Sequence, residues 1–307
     1  MLYSYKYFLC VISLVLLMQA CTSEPKLQLQ AIKTEVHSPL FETVWKNGKT
    51  EKEGGLEIIR SESSYSYDII PKKNGKIEGI ALRYDKRSKN ILFETSYKNG
   101  VRNGWERKYS PEGAWLYKAT LYKNGKKQEL RKYNNKGEMV YLLPYLNGEK
   151  HGVEQVFSYT SGSLQKRTTY VNGTKKKIVM YCKGKKSFQV EMNGCCKGIE
   201  RSWYCGTTIL KSETPYRHCK RQGTEKSYDE QGNLNYTIPY RYGQKEGKVK
   251  GYYPNGKIKY KVTYHGDKVD EVGYVYDNQG KRERIDYDTL MKFKDRLPTH
   301  MSDWRIE

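Results

Sequence analysis

Five cysteines fall between residues 182 and 219: Cys182, Cys195, Cys196, Cys205 and Cys219, the last preceded by His218. Thiols this close can pair as disulfides, stay free or ligate a metal. In an oxidising compartment the expected bridges are Cys182 with Cys205 and Cys219 with Cys195 or Cys196. A metal centre would draw on Cys195, Cys196, His218 and Cys219, but it lacks the paired Cys-x-x-Cys of zinc sites. The five histidines, His37, His151, His218, His265 and His300, are scattered. No nucleophile elbow, His-Glu-x-x-His, phosphate loop or dinucleotide fingerprint occurs. The sequence therefore points away from an enzyme and implies no cofactor and no metal.

The second chemistry is aromatic and basic. The chain of 307 residues holds 29 Tyr against 6 Phe and 5 Trp, with a formal charge of +22. Most rings thus carry a hydroxyl and want a polar neighbour when buried. An aromatic content of 13% argues against disorder, and a mean hydropathy of -0.88 excludes a polytopic membrane protein.

These residues sit in a repeat. Turn signals recur at Asn74-Gly75, Asn99-Gly100, Asn124-Gly125, Asn147-Gly148, Asn172-Gly173 and Asn193-Gly194, continuing in the slots His218-Cys219, Tyr242-Gly243 and His265-Gly266, with Asn47-Gly48 as a further copy. Spacing of roughly two dozen residues, held over nine slots, means repeats. A second glycine follows at Gly79, Gly104, Gly152, Gly198, Gly223 and Gly247, and an aromatic five positions later at Tyr84, Tyr109, Phe157, Trp203, Tyr228 and Tyr252. The units around 126–137 and 174–190 lack that glycine. An aliphatic residue stands six before the Tyr that precedes the turn, as in Ile91 with Tyr97 and Ile258 with Tyr264, a spacing that predicts one shared strand face. Pro144, Pro215 and Pro239 share one slot, implying a position that need not donate to the ladder.

Each unit reads as a β-hairpin. The expected fold is all-β: an elongated single-layer antiparallel sheet of about nine hairpins, on the order of 85 Å long by about 20 Å wide. One face should be Tyr-rich and aliphatic, the other charged, with no helical segment to cover the first. The expected contact residues are Tyr97, Tyr122, Tyr145, Tyr170, Tyr216, Tyr240 and Tyr264. They can serve cross-strand packing, recognition or both, and a homodimer could close two such faces. The lysines can guard the sheet edges or attract an anionic lipid, a cell-wall polymer or an acidic protein.

The Tyr-x-Asn-Gly-x-x-x-Gly pattern and Tyr252-Tyr253-Pro254-Asn255-Gly256-Lys257-Ile258 resemble the variant MORN repeat of bacterial proteins, including the YwqK-type proteins labelled antitoxins. The resemblance spans residues 41–287. It implies an elongated sheet used in protein or lipid association, and its antitoxin label implies neutralising a toxin partner.

The N-terminus reads as an address. An apolar run from Phe8 to Met18 has the length of a signal-peptide core, and Leu17-Met18-Gln19-Ala20-Cys21 resembles a bacterial lipoprotein signal. That resemblance implies cleavage after residue 20, acylation of Cys21 and anchoring by several acyl chains, with 21–40 as a tether. Thr22 is not the retention-type Asp, so the outer membrane is the expected location. An exported protein of this kind does not meet nucleic acid. Residues 288–307 differ from the repeats, and Thr289 to Leu297 can form a short amphipathic helix that caps the last hairpin. The reading is a non-catalytic, membrane-anchored binding or scaffolding lipoprotein; the alternative is an immunity or antitoxin protein.

Overall fold

The computed structural model describes residues 51–53, 56–110, 112, 115–193, 197–286 and 289, all within the compact unit Val36–Glu307. The signal and tether segments, Cys21, Asn47-Gly48, Gly194, Cys195, Cys196 and most of the expected terminal helix lie outside the described residues. At the edge of that last segment, Asp286 Oδ1 accepts the Thr289 amide at 2.8 Å, which is helix N-cap geometry.

The described chain is all-β, one open antiparallel sheet of 25 strands. Each full-length strand pairs with its predecessor and successor in the chain, for example Val101–Tyr109 with Leu116–Lys123 and the latter with Lys126–Tyr133. The count exceeds the eighteen expected from nine hairpins for two reasons. Further strands precede and follow the repeats, and four outgoing strands break into a two-residue piece and a longer one, as at Lys76–Ile77 and Gly79–Asp85.

The turns follow from backbone sterics. Asn99 and Gly100 have φ of 51° and 81°, and Asn124 and Gly125 of 50° and 78°. Two successive positive φ values define the hairpin turn whose twist matches the strands, which is why Asn-Gly recurs there. His218 and Cys219 hold the same conformation, at 51° and 58°, without glycine. Lys183-Gly184 forms an equivalent turn on the opposite edge. One slot is corrected: the last turn is centred on Gly266 and Asp267, with His265 paired to Lys268, so His265 belongs to the strand.

The second glycine marks a bulge. Between the pairs Ile69↔Leu82 and Lys72↔Ile77, the incoming strand has two residues (70 and 71) and the outgoing one four (78–81). The proline slot explains itself here. The carbonyls of Pro71, Pro144, Pro215 and Pro239 accept the amides of Glu78, His151, Gln222 and Glu246 at 3.0 to 3.2 Å. A strand residue points its N–H and C=O to the same side, so the proline's missing donor falls where the bulge has already interrupted the ladder. In the two units without this glycine the bulge shrinks to one residue, Gln128 between Glu129 and Lys127, and Lys176 between Lys177 and Lys175.

A second bulge corrects the expected face of the aliphatic residues. Arg83 pairs with Phe93 but Tyr84 pairs with Ile91, so Leu92 is passed over. The same shift pairs Tyr109 with Leu116, Phe157 with Leu164, Trp203 with Leu210, Tyr228 with Leu234 and Tyr252 with Ile258. Each aliphatic residue therefore packs with the aromatic of its own hairpin, on the face opposite Tyr97 and its equivalents. Tyr84 and Ile91 share a cluster with Tyr67, Ile69 and Tyr109. Such pairs contribute about 0.2–1 kcal/mol each.

Neighbouring repeats are also locked at their ends. Gly100, Gly125, Gly173 and Gly243 donate their amides to Ile77, Arg102, Lys150 and Arg221 carbonyls of the preceding unit. The residue before the second glycine adds a side-chain acceptor: Asn103 Oδ1 takes the Asn124 amide at 3.0 Å, His151 Nδ1 that of Asn172 at 3.3 Å and Gln222 Oε1 that of Tyr242 at 2.9 Å. On the opposite edge, Tyr204 and Tyr253 donate their hydroxyls to the Tyr228 and Tyr276 carbonyls at 2.8 Å.

Candidate functional site

The seven expected tyrosines do lie on one face. Each of six is the cross-strand partner of a second glycine: Tyr97 of Gly79, Tyr122 of Gly104, Tyr170 of Gly152, Tyr216 of Gly198, Tyr240 of Gly223 and Tyr264 of Gly247. A Cβ at Gly79, Gly104, Gly152, Gly223 or Gly247 would meet Pro71, Ser96, Pro144, Pro215 or Pro239 of the preceding strand, not the ring. The rings are less open than an uncovered face suggests: Tyr122, Tyr170, Tyr240 and Tyr264 are buried, and Tyr97, Tyr145 and Tyr216 are half-buried.

What covers them is a cation from the next strand. Tyr97 pairs with Arg102, Tyr122 with Lys127, Tyr145 with Lys150, Tyr216 with Arg221 and Tyr240 with Lys245. Each of these cations then sits over the tyrosine of the following unit. Arg102 is 5.0 Å from the Tyr122 ring centre, Lys150 5.2 Å from Tyr170, Arg221 5.2 Å from Tyr240 and Lys245 5.1 Å from Tyr264. The result is an alternating ladder of ring and cation along the Asn-Gly edge. A shallow open groove at Tyr97, Arg102, Tyr122 and Lys127 follows it. Cation–π stacking accounts for about 0.5–1 kcal/mol per exposed contact.

The expectation of an aliphatic face set against a charged one fails. Glu106, Glu154, Glu200 and Glu225 pair across the strands with Thr120, Thr168, Thr214 and Ile238, on the tyrosine side. Ile80, Val153 and Ile199 point to the other side and are exposed. The carboxylates serve the hydroxyls. Tyr141 Oη donates to Glu154 Oε1 at 2.7 Å and Tyr216 Oη to Glu200 Oε2 at 3.4 Å, while Arg102 Nη1 donates to both Tyr122 Oη (2.9 Å) and Glu106 Oε2 (3.1 Å). Burial first, and the Glu154 charge second, push the phenols of Tyr145 and Tyr170 up. Tyr260 is pushed up to about 12 by burial and then by neighbouring Tyr236 and Tyr264. These phenols are donors at neutral pH, suited to orienting a ligand rather than attacking one.

The missed signals were nonetheless in the sequence. An Arg or Lys stands five residues after Tyr97, Tyr122, Tyr145, Tyr216 and Tyr240, and Gly-x-Glu recurs at 104–106, 152–154, 198–200 and 223–225.

Cys182 and Cys205 are joined by a disulfide with Cα atoms 5.3 Å apart. Positions one repeat apart would ordinarily be about 9.5 Å distant, so the two turns lean together. A Cβ added to Gly206 would lie 3.2 Å from Lys183 Cδ, which shows how closely they meet. Cys219 is also disulfide-bonded. Among the described residues no group of His, Cys, Asp and Glu is placed to hold a metal. His151 serves the turn lock, and His265 lies 3.6 Å from Glu246 and 3.4 Å from Asp270.

A family model, MORN repeat variant, matches residues 221–242 and 245–265. The chain therefore carries MORN-variant repeats in that stretch, and the same register of turn, bulge and tyrosine continues outside it. No curated protein matches the chain. Among solved structures, the crystal structure of TarM aligns with 44% of this chain at 12% identity and a TM-score of 0.25. The aligned part is 22% of that protein's length, and the similarity is too low to carry an argument.

Proposed function

We propose that the chain is an exported bacterial lipoprotein, acylated at Cys21 and held at the cell envelope, whose sheet is a non-catalytic binding module. The observation that carries the binding role is the ring-and-cation ladder. Among the described residues every substantial contact between elements joins neighbouring strands, so nothing in that set packs over the ladder. A face that positions hydroxyls, ammonium groups and rings at a fixed period suits an extended or repetitive partner better than a small molecule. The anchor rests on the sequence of the first 21 residues alone.

Two measurements test this. A photo-crosslinking amino acid at Tyr97 or Tyr145 should capture a species in intact envelopes that the same probe at Lys248, exposed on the opposite face, does not. Equal capture from both faces would overturn the assignment. Separately, Cys21→Ser should abolish metabolic acyl labelling and release the protein from the membrane fraction; unlabelled, soluble wild-type protein would defeat the lipoprotein reading. Recovery of a single secreted toxin as the adduct would transfer the conclusion to an immunity protein.

A further inference from the structure

The tyrosine face carries a second row, nearer the opposite edge. Across five adjacent strands the register reads Phe93↔Lys108, Lys108↔Lys118, Lys118↔Lys132 and Lys132↔Tyr141. Directly opposed residues share a face, so three lysines stand side by side about 5 Å apart, with an aromatic at each end. The outer two lie over those aromatics, Lys108 5.0 Å from the Phe93 ring centre and Lys132 5.2 Å from that of Tyr141.

The middle one has no such outlet. Lys118 is half-buried, and among the described residues its ammonium makes no hydrogen bond or ion pair. The carboxylate that acts on it, Glu106, is already shared between Arg102 at 3.1 Å and Lys108 at 3.9 Å. Its ammonium is held below the ordinary lysine value by burial first and by Lys108 next, with Lys127 and Lys132 adding and Glu106 opposing. Like charges directly opposed destabilise a sheet. Three in a row, with the innermost unpaired, is an arrangement that an external anion would relieve.

We infer that this row, Lys108, Lys118 and Lys132 flanked by Phe93 and Tyr141, binds a linear phosphate polyanion laid across the strands. A lone carboxylate or phosphate would neutralise one position. A chain with a phosphate every few ångströms meets all three ammonium groups in turn, and Lys127 of the neighbouring ladder extends the positive surface toward the Asn-Gly edge. Lysine suits this role as a compact donor to phosphate oxygens. The inference rests on the reading of this face as a binding surface and names the class of ligand.

The test uses the purified full-length protein with fluorescently labelled inorganic polyphosphate. Binding should weaken with salt at a log–log slope of about -2, from three neutralised charges at about 0.7 each. Lys118→Met should lower affinity about tenfold, the loss of one charge-assisted contact, while its melting temperature stays equal to or above wild type because repulsion is relieved. Exposed Lys132→Gln should lower affinity likewise, and Lys248→Gln should leave it within about twofold. No polyphosphate binding at 50 mM salt, or binding unchanged in both row variants, would overturn the inference. So would orthophosphate competing as well as the polymer, which would mean a single-anion site. Capture by anionic but not by neutral phospholipid vesicles, which polyphosphate does not compete away, would overturn it in favour of a lipid surface. None of these outcomes alters the crosslinking result above, so the two readings fail separately.

Discussion

Gly152→Ala isolates what the second glycine of each repeat does. Gly152 has φ of +89°, and an added Cβ would sit 3.0 Å from Pro144 Cγ and 3.7 Å from its Cβ. Gly148, four residues earlier in the same hairpin, has φ of +92° with nothing within 4 Å. At either site the left-handed backbone costs alanine about 1–2 kcal/mol, offset by about 0.4–1 kcal/mol from a less flexible unfolded chain. Gly148→Ala should therefore cost about 1 kcal/mol. Gly152→Ala adds the forced contact with the proline ring, about 1–3 kcal/mol on the scale of overpacked sites, for a net loss of about 2–4 kcal/mol. In a sheet of this size that is a fall in melting temperature of about 4–16 °C. Pro144→Ala removes the Cγ that is struck, so the double variant should recover about 1 kcal/mol or more as a coupling energy. Thermal denaturation, paired with hydrogen exchange in Met139–Leu146 and Gly152–Phe157, reads both. Equal losses at Gly148 and Gly152, or additivity within about 0.5 kcal/mol in the cycle, would refute the steric argument and leave backbone conformation as the whole role of the glycine.

Three further outcomes are expected. Replacing both Cys182 and Cys205 by Ala opens a loop with a sequence separation of 23 and should cost about 3 kcal/mol on the loop-entropy model; urea unfolding at unchanged activity of the reductant tests it, and a change below about 1 kcal/mol would contradict it. On acidification the sheet should weaken below about pH 4.5. The Gly266 amide bonded to Glu246, and the Ser88 amide bonded to Asp85, hold these carboxyls below their values of 4.5 and 3.8. A depressed folded value means stability present above the unfolded value and lost as pH falls through the folded one; Glu246→Gln with Asp85→Asn should flatten that part of the pH–stability curve. At the alkaline end Tyr145, Tyr170, Tyr216 and Tyr264 are raised above 10.0, chiefly by burial. Raised values give stability that is full below pH 10.0 and lost as pH climbs through the folded values. Tyrosinate absorbance should thus show a late-titrating class that vanishes in denaturant, and one uniform titration near 10 would count against the buried ladder.

How much of this was legible depends on which positions repeat by identity and which by phase. Asn-Gly forces two left-handed residues in succession, so spacing alone located the turns at Asn99, Asn124, Asn147 and Asn172, and with them the hairpins. The last turn slipped to Gly266-Asp267 because His265 was aligned on the glycine beside it, although Asp tolerates positive φ as Asn does. Strand faces were harder, since period-2 alternation holds only while the register is unbroken. Each repeat has one bulge at the second glycine and another just after its opposite turn. Parity counted across the second of these assigns a side chain to the wrong face, as for Ile91 against Tyr97.

That same phase slip produces the functional face. Without the shift that pairs Tyr109 with Leu116, Tyr122 and Glu106 would fall on opposite faces of the sheet, and Arg102 could reach only one of them. The bulge at Asn103-Gly104 brings Arg102 against Tyr97 in register, over the Tyr122 ring and within 3.1 Å of Glu106. The ladder is interrupted after residue 175: Lys175 pairs with Tyr170 across the bulge at Lys176, but the following strand, Lys185–Met192, places Met192 opposite Gly198, the position a tyrosine holds opposite the second glycine of other units. The disulfide between Cys182 and Cys205 lies in this same stretch. That covalent link joins the two repeats on the edge opposite the Asn-Gly turns.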